Sequence, residues 1–437
     1  MSEEVFKRST LERLGKRLRD EECAESKDLD LLQAYRLSYK DVISEVFHIV
    51  DTTAKSVCDS AICAFRIKRI DSIIGKLRRL RGKLELNRMA DIAGCRCIVK
   101  TEREIYRIIK KLKESDLQVD STNDYIKAPQ DTGYRSVHIY VYLDKYTKNK
   151  KVEIQLRTRE HHNWATFVET IDSLYNIRIK EDVKELGKEN IFDDFFKFHQ
   201  IMSKSWHSID DKFFLLNKIV QYDVVGKINT IIIKNVRRVR LEWVKIKYNE
   251  AINNPICCYV ISTREDAYPE ILAFESYDAA ECKYYELFST NRKNANIVLL
   301  NMPNATYDQV VTAYSNYLLT GHAFMRRFNR LISDLFNVKS GKTINQLKPF
   351  MVYYKAVIDN YNKYMFTEHQ LLKESYILPV KHRQEWILDV QNRYSELYRD
   401  NESLTKEMTY RMQYEQQSTI LGKIVFKIVF SLFGFLK

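Results

Sequence analysis

The sequence predicts a helix-rich α+β fold. Glycine (11) and proline (6) are scarce among the 437 residues, a balance that favours helices joined by short connections. Long stretches repeat apolar residues at helical spacing, while two short runs alternate with period two, as half-buried strands do. Apolar residues make up 45% of the chain. That is enough for real cores and excludes global disorder, and the length suits two or three domains.

Charge and cysteine usage narrow the partners. The net charge of +13 favours polyanions such as nucleotides, RNA or acidic lipid without choosing among them. The eight cysteines form no CxxC pair, and several sit in apolar runs where a reduced thiol behaves as a small hydrophobe, so a reducing compartment is expected. The N-terminus, MSEEVFKRSTLERLGKRLRDEE, lacks the apolar stretch of a secretory signal, which points to the cytoplasm. Ile420 to Lys437 is strongly apolar but interrupted by Lys423 and Lys427, short of the roughly 20 uninterrupted residues of a bilayer span. A docked helix is favoured there over a membrane-surface anchor.

Taken in order, Leu29 to about Ser60 reads as one or two helices packing on the next domain, a brace assigned to residues 1–54. Asp71 to Arg81 opens with the capping pair Asp-Ser, which places Lys76, Arg78 and Arg79 near the start of a short helix. Cys95 to Lys100 reads as a buried strand and Glu102 to Lys113 as an amphipathic helix. Val137 to Leu143 and Val152 to Arg157 alternate around a polar turn and form an antiparallel pair. With like residues in register, Ser136, His138, Tyr140 and Tyr142 share the polar face with Glu153, Gln155 and Arg157. An aromatic helix around Phe195 to Trp206 closes a first domain at 55–217. A basic helical linker with Lys234, Arg237, Arg238, Arg240, Lys245 and Lys247 is expected over 218–255. A small αβ module follows at 256–335, with strands at Ile256 to Ile261 and Ala295 to Asn301 and helices over Tyr277 to Ser289 and Tyr307 to Tyr317. Residues 336–437 read as helical.

Four segments carry concentrated chemistry: Arg66-Ile67-Lys68 with Ser72 and Lys76, Asp91 to Arg96, Tyr125 to His138 (YIKAPQDTGYRSVH), and Val152 to Trp164 (VEIQLRTREHHNW). Singly, each has a plain reading. Asp91 before a strand would usually be a turn or cap residue. Glu153, Arg66, Lys76 and Arg79 would usually face solvent. Tyr134 would commonly pack, and His138 would be a satisfied strand histidine. In this order and spacing the four segments resemble the synthetase domain of the RelA/SpoT family over about residues 55 to 175. The resemblance implies a nucleotidyltransferase-like mixed sheet flanked by helices. It also implies a cytoplasmic pyrophosphokinase that moves the β,γ-pyrophosphate of ATP to the 3′-hydroxyl of GDP or GTP, making (p)ppGpp.

That chemistry needs metal-binding carboxylates, phosphate-binding cations and stacking planes. The resemblance assigns Asp91 and Glu153 as catalytic Mg²⁺ ligands. Arg66 and Arg96 would sandwich the adenine, with Lys68, Ser72, Lys76 and Arg79 on the ATP phosphates. Tyr134 would stack on the acceptor base, with His138, Gln155, Lys127 and Arg135 lining the acceptor side. Departures fall on that side. Pro129-Gln130-Asp131-Thr132-Gly133-Tyr134 stands where the family typically has Pro-Lys-x-Asn-Gly-Tyr, and Trp164-Ala165-Thr166 leads to Val168-Glu169-Thr170. Ala313-Tyr314-Ser315-Asn316-Tyr317 resembles an element found C-terminal to the domain in a less characterised branch. No His-Asp pair of the family's hydrolase domain is present, so product hydrolysis is not expected.

Two further readings stand beside the alarmone synthetase. One keeps the donor chemistry and pyrophosphorylates the 3′ end of tRNA, as toxins of the family do, with the basic helix holding RNA. The other is a nucleotide-binding sensor with little turnover. Membrane contact by the tail and homo-oligomerisation are left open by the sequence.

Overall fold

The computed structural model describes residues 6–20, 24–146, 150–179, 184, 186–204, 207–247, 255–264, 269–290, 295–318 and 419–432, with isolated positions between 362 and 417. The chain divides into two compact units, Met1–Thr170 with Ala251–Leu318, and Ile171–Glu250 with Leu319–Lys437. No helix among the described residues is long and apolar enough to cross a membrane.

The first unit is built on one eight-stranded mixed sheet. Its strands are β1 (Ile62–Ile67), β2 (Ala93–Val99), β3 (Gln118–Asp124), β4 (Val137–Tyr142), β5 (Val152–Thr158), β6 (Cys258–Arg264), β7 (Glu270–Phe274) and β8 (Ala295–Asn301). They lie in the order β3-β4-β5-β2-β1-β8-β6-β7. The one parallel pair is β2 with β5, where Ala93 faces Val152 and Val99 faces Thr158. β4 and β5 pair antiparallel with Val137 opposite Leu156 and Ile139 opposite Ile154, so like residues share a face as the alternation requires.

One sheet face is apolar. Phe65, Cys95, Cys97, Ile139, Ile154 and Leu156 point into a core shared with helices α1 (Arg8–Asp20), α2 (Ser26–Leu37), α3 (Lys40–Val57), α4 (Ile70–Arg79), α5 (Glu102–Lys113) and a later helix, α10 (Tyr277–Thr290). The brace reads as expected from its spacing: Val42, Ile43, Val46 and Val50 of α3 are fully buried. At α5, Thr101 and Glu104 close a capping box, which fixes where this helix begins beside the end of β2. The opposite face of β1, β2, β4 and β5 carries the polar side chains.

Several elements differ from expectation. The sequence pattern does not predict β1 or the exposed edge strand β3. β1 is a continuous buried run ending in Arg-Ile, whose periodicity resembles a helix segment as much as a strand. β3 is polar apart from exposed Val119, and both its faces meet solvent; it is held by β4 alone, and an irregularity between Val119 and Ser121 interrupts the edge. Helix α4 starts at Ile70 after extended Arg69, with no side-chain cap. Asp71 therefore lies in its first turn, and Lys76 and Arg79 fall in its last turn, not near its start, where cations suit the negative end of the dipole. The helix expected over Tyr307 to Tyr317 is broken at Tyr314, whose φ of −133° separates α11 (Tyr307–Ala313) from α12 (Ser315–Leu318).

Of the residues set apart in the sequence as an accessory module, 256–335, the described ones up to 318 supply β6, β7 and β8 to the same sheet, and β8 meets β1 where Phe65 faces Asn301. The second unit takes the end of α6 (Arg159–Tyr175), then α7 (Glu189–Met202), α8 (Ile209–Gln221), α9 (Val224–Lys247) and the helix Ile420–Leu432. Its aromatic centre packs Tyr175, Phe195 and Tyr222 at tilted and edge-on angles, with Phe195 also against buried His199, whose basicity burial lowers to about 3. Within the basic linker expected over 218–255, α9 forms over Val224–Lys247, but the side chains of Lys234, Arg237, Arg238, Lys245 and Lys247 lie outside the described ones, as do Trp206 and most of 336–437.

Ile154 is fully buried on central strand β5. Ile154→Ala is expected to cost about 2–5 kcal/mol through lost burial and a residual cavity, read as a lower urea midpoint for the transition of the first unit.

Candidate active site

The polar sheet face assembles from strand register. Arg66 on β1 faces Gly94 while Ala64 faces Arg96, so both arginines lie on the same side of neighbouring strands as diagonal neighbours. Diagonal pairs stand about 7–8 Å apart, which is also roughly twice the 3.5–4.0 Å contact distance between stacked planes. Gly94 is needed there: a Cβ would come within 3.1 Å of the Glu153 carbonyl oxygen on the adjacent parallel strand.

In the described state aromatic rings of the chain itself meet both arginines. Arg66 Nη1 donates to the Tyr317 hydroxyl at 2.8 Å. The guanidiniums of Arg66 and Arg69 lie 6.0 and 5.5 Å from the Tyr317 ring centre, and that of Arg96 lies 5.7 Å from Tyr314. Main-chain contacts fix the segment: Arg96 Nη1 donates to Ala313 O at 3.0 Å, His162 Nε2 to Thr312 O at 2.7 Å, and Thr263 Oγ1 to Tyr317 O at 3.1 Å. Tyr314 and Tyr317 are buried. Burial alone would raise the Tyr317 hydroxyl, but Arg66 and Arg69 outweigh it and bring it down to about 8. Arg96 is lowered by burial and by the like charges of Arg157 and Arg66.

The next group centres on Asp91, just before β2. Its Oδ2 accepts from Lys68 Nζ at 2.7 Å and Lys76 Nζ at 2.8 Å. Its Oδ1 is buried without a hydrogen-bond partner. Burial would raise this carboxyl, yet the two ammonium groups hold it below its usual range. Burial, aided by neighbouring Lys76, lowers Lys68 despite Asp91.

On β5, Glu153 is held from three sides. Oε1 accepts from the Tyr140 hydroxyl at 3.0 Å and lies 3.0 Å from His138 Nδ1, while Oε2 accepts from Gln155 Nε2 at 2.7 Å. Against burial, these partners keep Glu153 far below the ordinary carboxylate range. Burial would lower His138, but Tyr134 and Glu153 raise it. Arg157 extends the network, donating from Nη2 to Gln155 Oε1 at 3.0 Å and to the Tyr134 hydroxyl at 2.5 Å, which also meets His138 Nε2 at 2.8 Å. A turn with Gly133 at φ 81° brings Tyr134 to this position. Tyr134 is only 9% exposed, edged by Tyr125, His138 and Trp164.

Of the residues singled out in the sequence, Arg66, Lys68, Lys76, Asp91, Arg96, Tyr134, His138, Glu153 and Gln155 take part in these three groups of contacts. Lys127 points outward, 3.7 Å from Asp124 and above the Tyr106 ring. Arg79 is exposed on α4, Ser72 is partly buried on the same helix, and Arg135 keeps a buried Nε without a hydrogen-bond partner. Sequence reasoning gave no role to Arg157, Tyr140, Arg69, His162, Tyr314 or Tyr317. The alternation of β4 and β5 already placed Arg157 and Tyr140 on the polar face, and the i, i+3 spacing of Tyr314 and Tyr317 was visible without naming their partners, whereas Arg69 and His162 carried no signal.

Among the described residues no group of three or more His, Cys, Asp or Glu side chains could hold a metal ion. The free Oδ1 of Asp91 and the carboxylate of Glu153 are two acids of the kind that bind Mg²⁺ together with substrate phosphates, an ion that commonly takes only one or two protein carboxylates.

Comparison with known proteins agrees with this face. Residues 65–180 match the family model described as the region found in RelA / SpoT proteins. GTP pyrophosphokinase YwaC of Bacillus subtilis is 32% identical over 133 residues, 28% of this chain and 63% of that protein. GTP pyrophosphokinase YjbM of the same organism is 36% identical over 126 residues, 27% of this chain and 59% of that one. The chain thus spans less than two thirds of either relative. Among solved structures, small alarmone synthetase 2 from Bacillus subtilis is 27% identical, covering 38% of this chain and 90% of that one, with a TM-score of 0.30. Residues 65–180, which hold the end of β1 and all of β2, β3, β4 and β5, thus match the region found in RelA / SpoT proteins and form one part of a longer chain.

Proposed function

We propose that the chain is an ATP-dependent pyrophosphokinase that transfers the β,γ-pyrophosphate of ATP to the 3′-hydroxyl of a guanosine nucleotide, GDP or GTP, giving (p)ppGpp. The observation that carries this reading is the placement of a stacking pair, a lysine-flanked aspartate and a buried glutamate on one face of a sheet whose residues match the RelA/SpoT region. The names of the relatives support the guanine acceptor.

In this reading the acceptor 3′-oxygen bonds to the β-phosphorus, the bond between that phosphorus and the α,β-bridging oxygen breaks, and AMP leaves. Arg66 and Arg96 hold the adenine between their planes. Lys68 and Lys76 leave Asp91 Oδ2 for the phosphates when ATP enters, trading one anion for another. Asp91 and Glu153 would hold Mg²⁺, which would supply charge neutralisation on the phosphates. Glu153 as described is a poor base because three groups bond to it. It can accept the hydroxyl proton once the acceptor replaces one of them.

The donor position cannot be filled while Tyr314 and Tyr317 lie against Arg96 and Arg66, so the described state is closed to ATP. Turnover requires residues 312–318 to withdraw.

Incubation with γ-labelled ATP and Mg²⁺, with GDP, GTP, ADP or total tRNA as acceptor, tests the reading. Label is expected in the guanine nucleotides and to fall at least about 100-fold in Asp91→Ala and Glu153→Ala. Label confined to tRNA would replace the proposed acceptor, and no label with any acceptor would overturn the reaction. The Tyr314→Ala, Tyr317→Ala chain is expected to bind ATP about tenfold more tightly than the unaltered chain, since roughly 1.4 kcal/mol of closure is removed; equal affinity would show that the tyrosines do not compete with ATP.

Closure should also depend on pH. The Tyr317 hydroxyl, at about 8 in place of the usual about 10, is faced by Arg66, Arg69 and Glu169. Its contribution to closure is full above the ordinary value and fades as pH falls through 8. ATP affinity is therefore expected to weaken between pH 7.5 and 9.5 in the unaltered chain, and to do so less in Tyr317→Phe. Parallel profiles would remove the phenolate from closure.

A further inference from the structure

Arg36 lies on α2, far in sequence from the polar face, yet it is 1% exposed and hydrogen-bonded through Nε and Nη1. Its Nε donates to the main-chain oxygen of Lys68 at 2.7 Å. Its Nη1 meets Glu281 Oε1 of α10 at 3.0 Å and also contacts Gln33, which itself donates to the same Glu281 oxygen at 2.8 Å. The guanidinium lies 4.8 Å from the ring centre of Tyr284, one turn further along α10. The Tyr284 hydroxyl in turn accepts from the backbone N–H of Ile70 at 3.3 Å. The peptide units on both sides of Arg69 are thus gripped, Lys68 by Arg36 and Ile70 by Tyr284.

A buried ion pair is expensive to keep. Replacing such a pair with apolar residues of similar size is often neutral or stabilising. Stability alone does not account for an Arg–Glu pair between α2 and α10, but its reach to the Lys68 carbonyl does. Lys68 leaves β1 at the turn into α4, and its ammonium sits 2.7 Å from Asp91. A shift of that turn moves the ammonium directly. Misplacement of a phosphate-binding cation by about 1 Å can cost up to 100-fold in rate.

We infer that Arg36, braced by Glu281 of α10, is a positioning residue for Lys68, so that residues 256–318 take part in donor binding through the β1–α4 turn. The inference rests on the donor role given to Lys68 under the proposed function. It gives α10 a role separate from that of Tyr314 and Tyr317: the same stretch of chain that closes the donor position also holds one of its cations in place.

The test uses the full chain with Arg36→Lys, which keeps the charge beside Glu281 but loses the planar fork that reaches two acceptors at once. Its partner is the double variant Arg36→Met, Glu281→Leu, which removes both charges together. ATP affinity is read by equilibrium binding of a fluorescent ATP analogue, and the KM values for ATP and acceptor are measured alongside thermal midpoints. The expected result is a weakening of ATP binding by about tenfold in both variants, acceptor KM unchanged, and little further weakening when Arg36→Lys is added to Lys68→Ala. Unchanged ATP binding, or ATP and acceptor constants that shift together, would overturn the positioning role, as would full additivity with Lys68→Ala. Selective loss of ATP binding in a chain that labels no acceptor would uphold the positioning role and overturn the pyrophosphokinase reading. Labelled product with ATP binding unaffected by either variant would do the reverse.

Discussion

The parallel pairing of β2 with β5 is the constraint on which the rest of the first unit depends. It sets Gly94 beside Glu153 and Arg96 beside Gln155, and through the flanking antiparallel pairs it brings Arg66 and His138 onto the same face. A slip of one residue in this ladder would turn Glu153 and Arg157 into the core and expose Ile154 and Leu156. Packing therefore protects the chemistry. The apolar face beneath α3 and α5 locks the register, and the register alone decides which charged side chains meet above it.

Charge organisation on that face follows from burial. Burial and the like charges of Arg157 and Arg66 lower Arg96, while Tyr314 and Glu169 act the other way on both Arg96 and Arg66. A face with this many partly desolvated cations favours a polyanion with a flat ring, because either half alone would leave charges or planes unanswered. Lys68 and Lys76 meanwhile rest on one oxygen of Asp91, which leaves its other oxygen buried without a hydrogen-bond partner.

Much of this face was legible in the sequence where one rule acted alone. Strict alternation over Val137 to Leu143 and Val152 to Arg157 fixed both strands and their relative register, and it separated Glu153 and Gln155 from Ile154 and Leu156. Helix α5 was legible because its cap and its apolar spacing agree. Legibility failed where two influences compete or where the partner is distant. β3 has no apolar face because nothing packs on it. α4 begins before the Asp-Ser pair because the end of β1, and not a side-chain cap, fixes its start. Neither the Arg36 bond to Lys68 nor the Tyr317 bond to Arg66 leaves a local signal, since their partners are 32 and 251 residues apart.

The break at Tyr314 acquires another meaning when the chain is considered in order of synthesis. The strands that form the polar face, and Trp164 of α6 beside them, are complete about 150 residues before Tyr314 and Tyr317 are made. At about 5–20 residues per second, a ribosome takes on the order of ten seconds to cover that interval. During it β1 lacks β8 as a neighbour, and Arg66 and Arg96 have no tyrosine to meet. Each newborn chain thus passes through an interval in which the tyrosine contacts to Arg66 and Arg96 do not yet exist, and the time to finish translation sets how long that interval lasts.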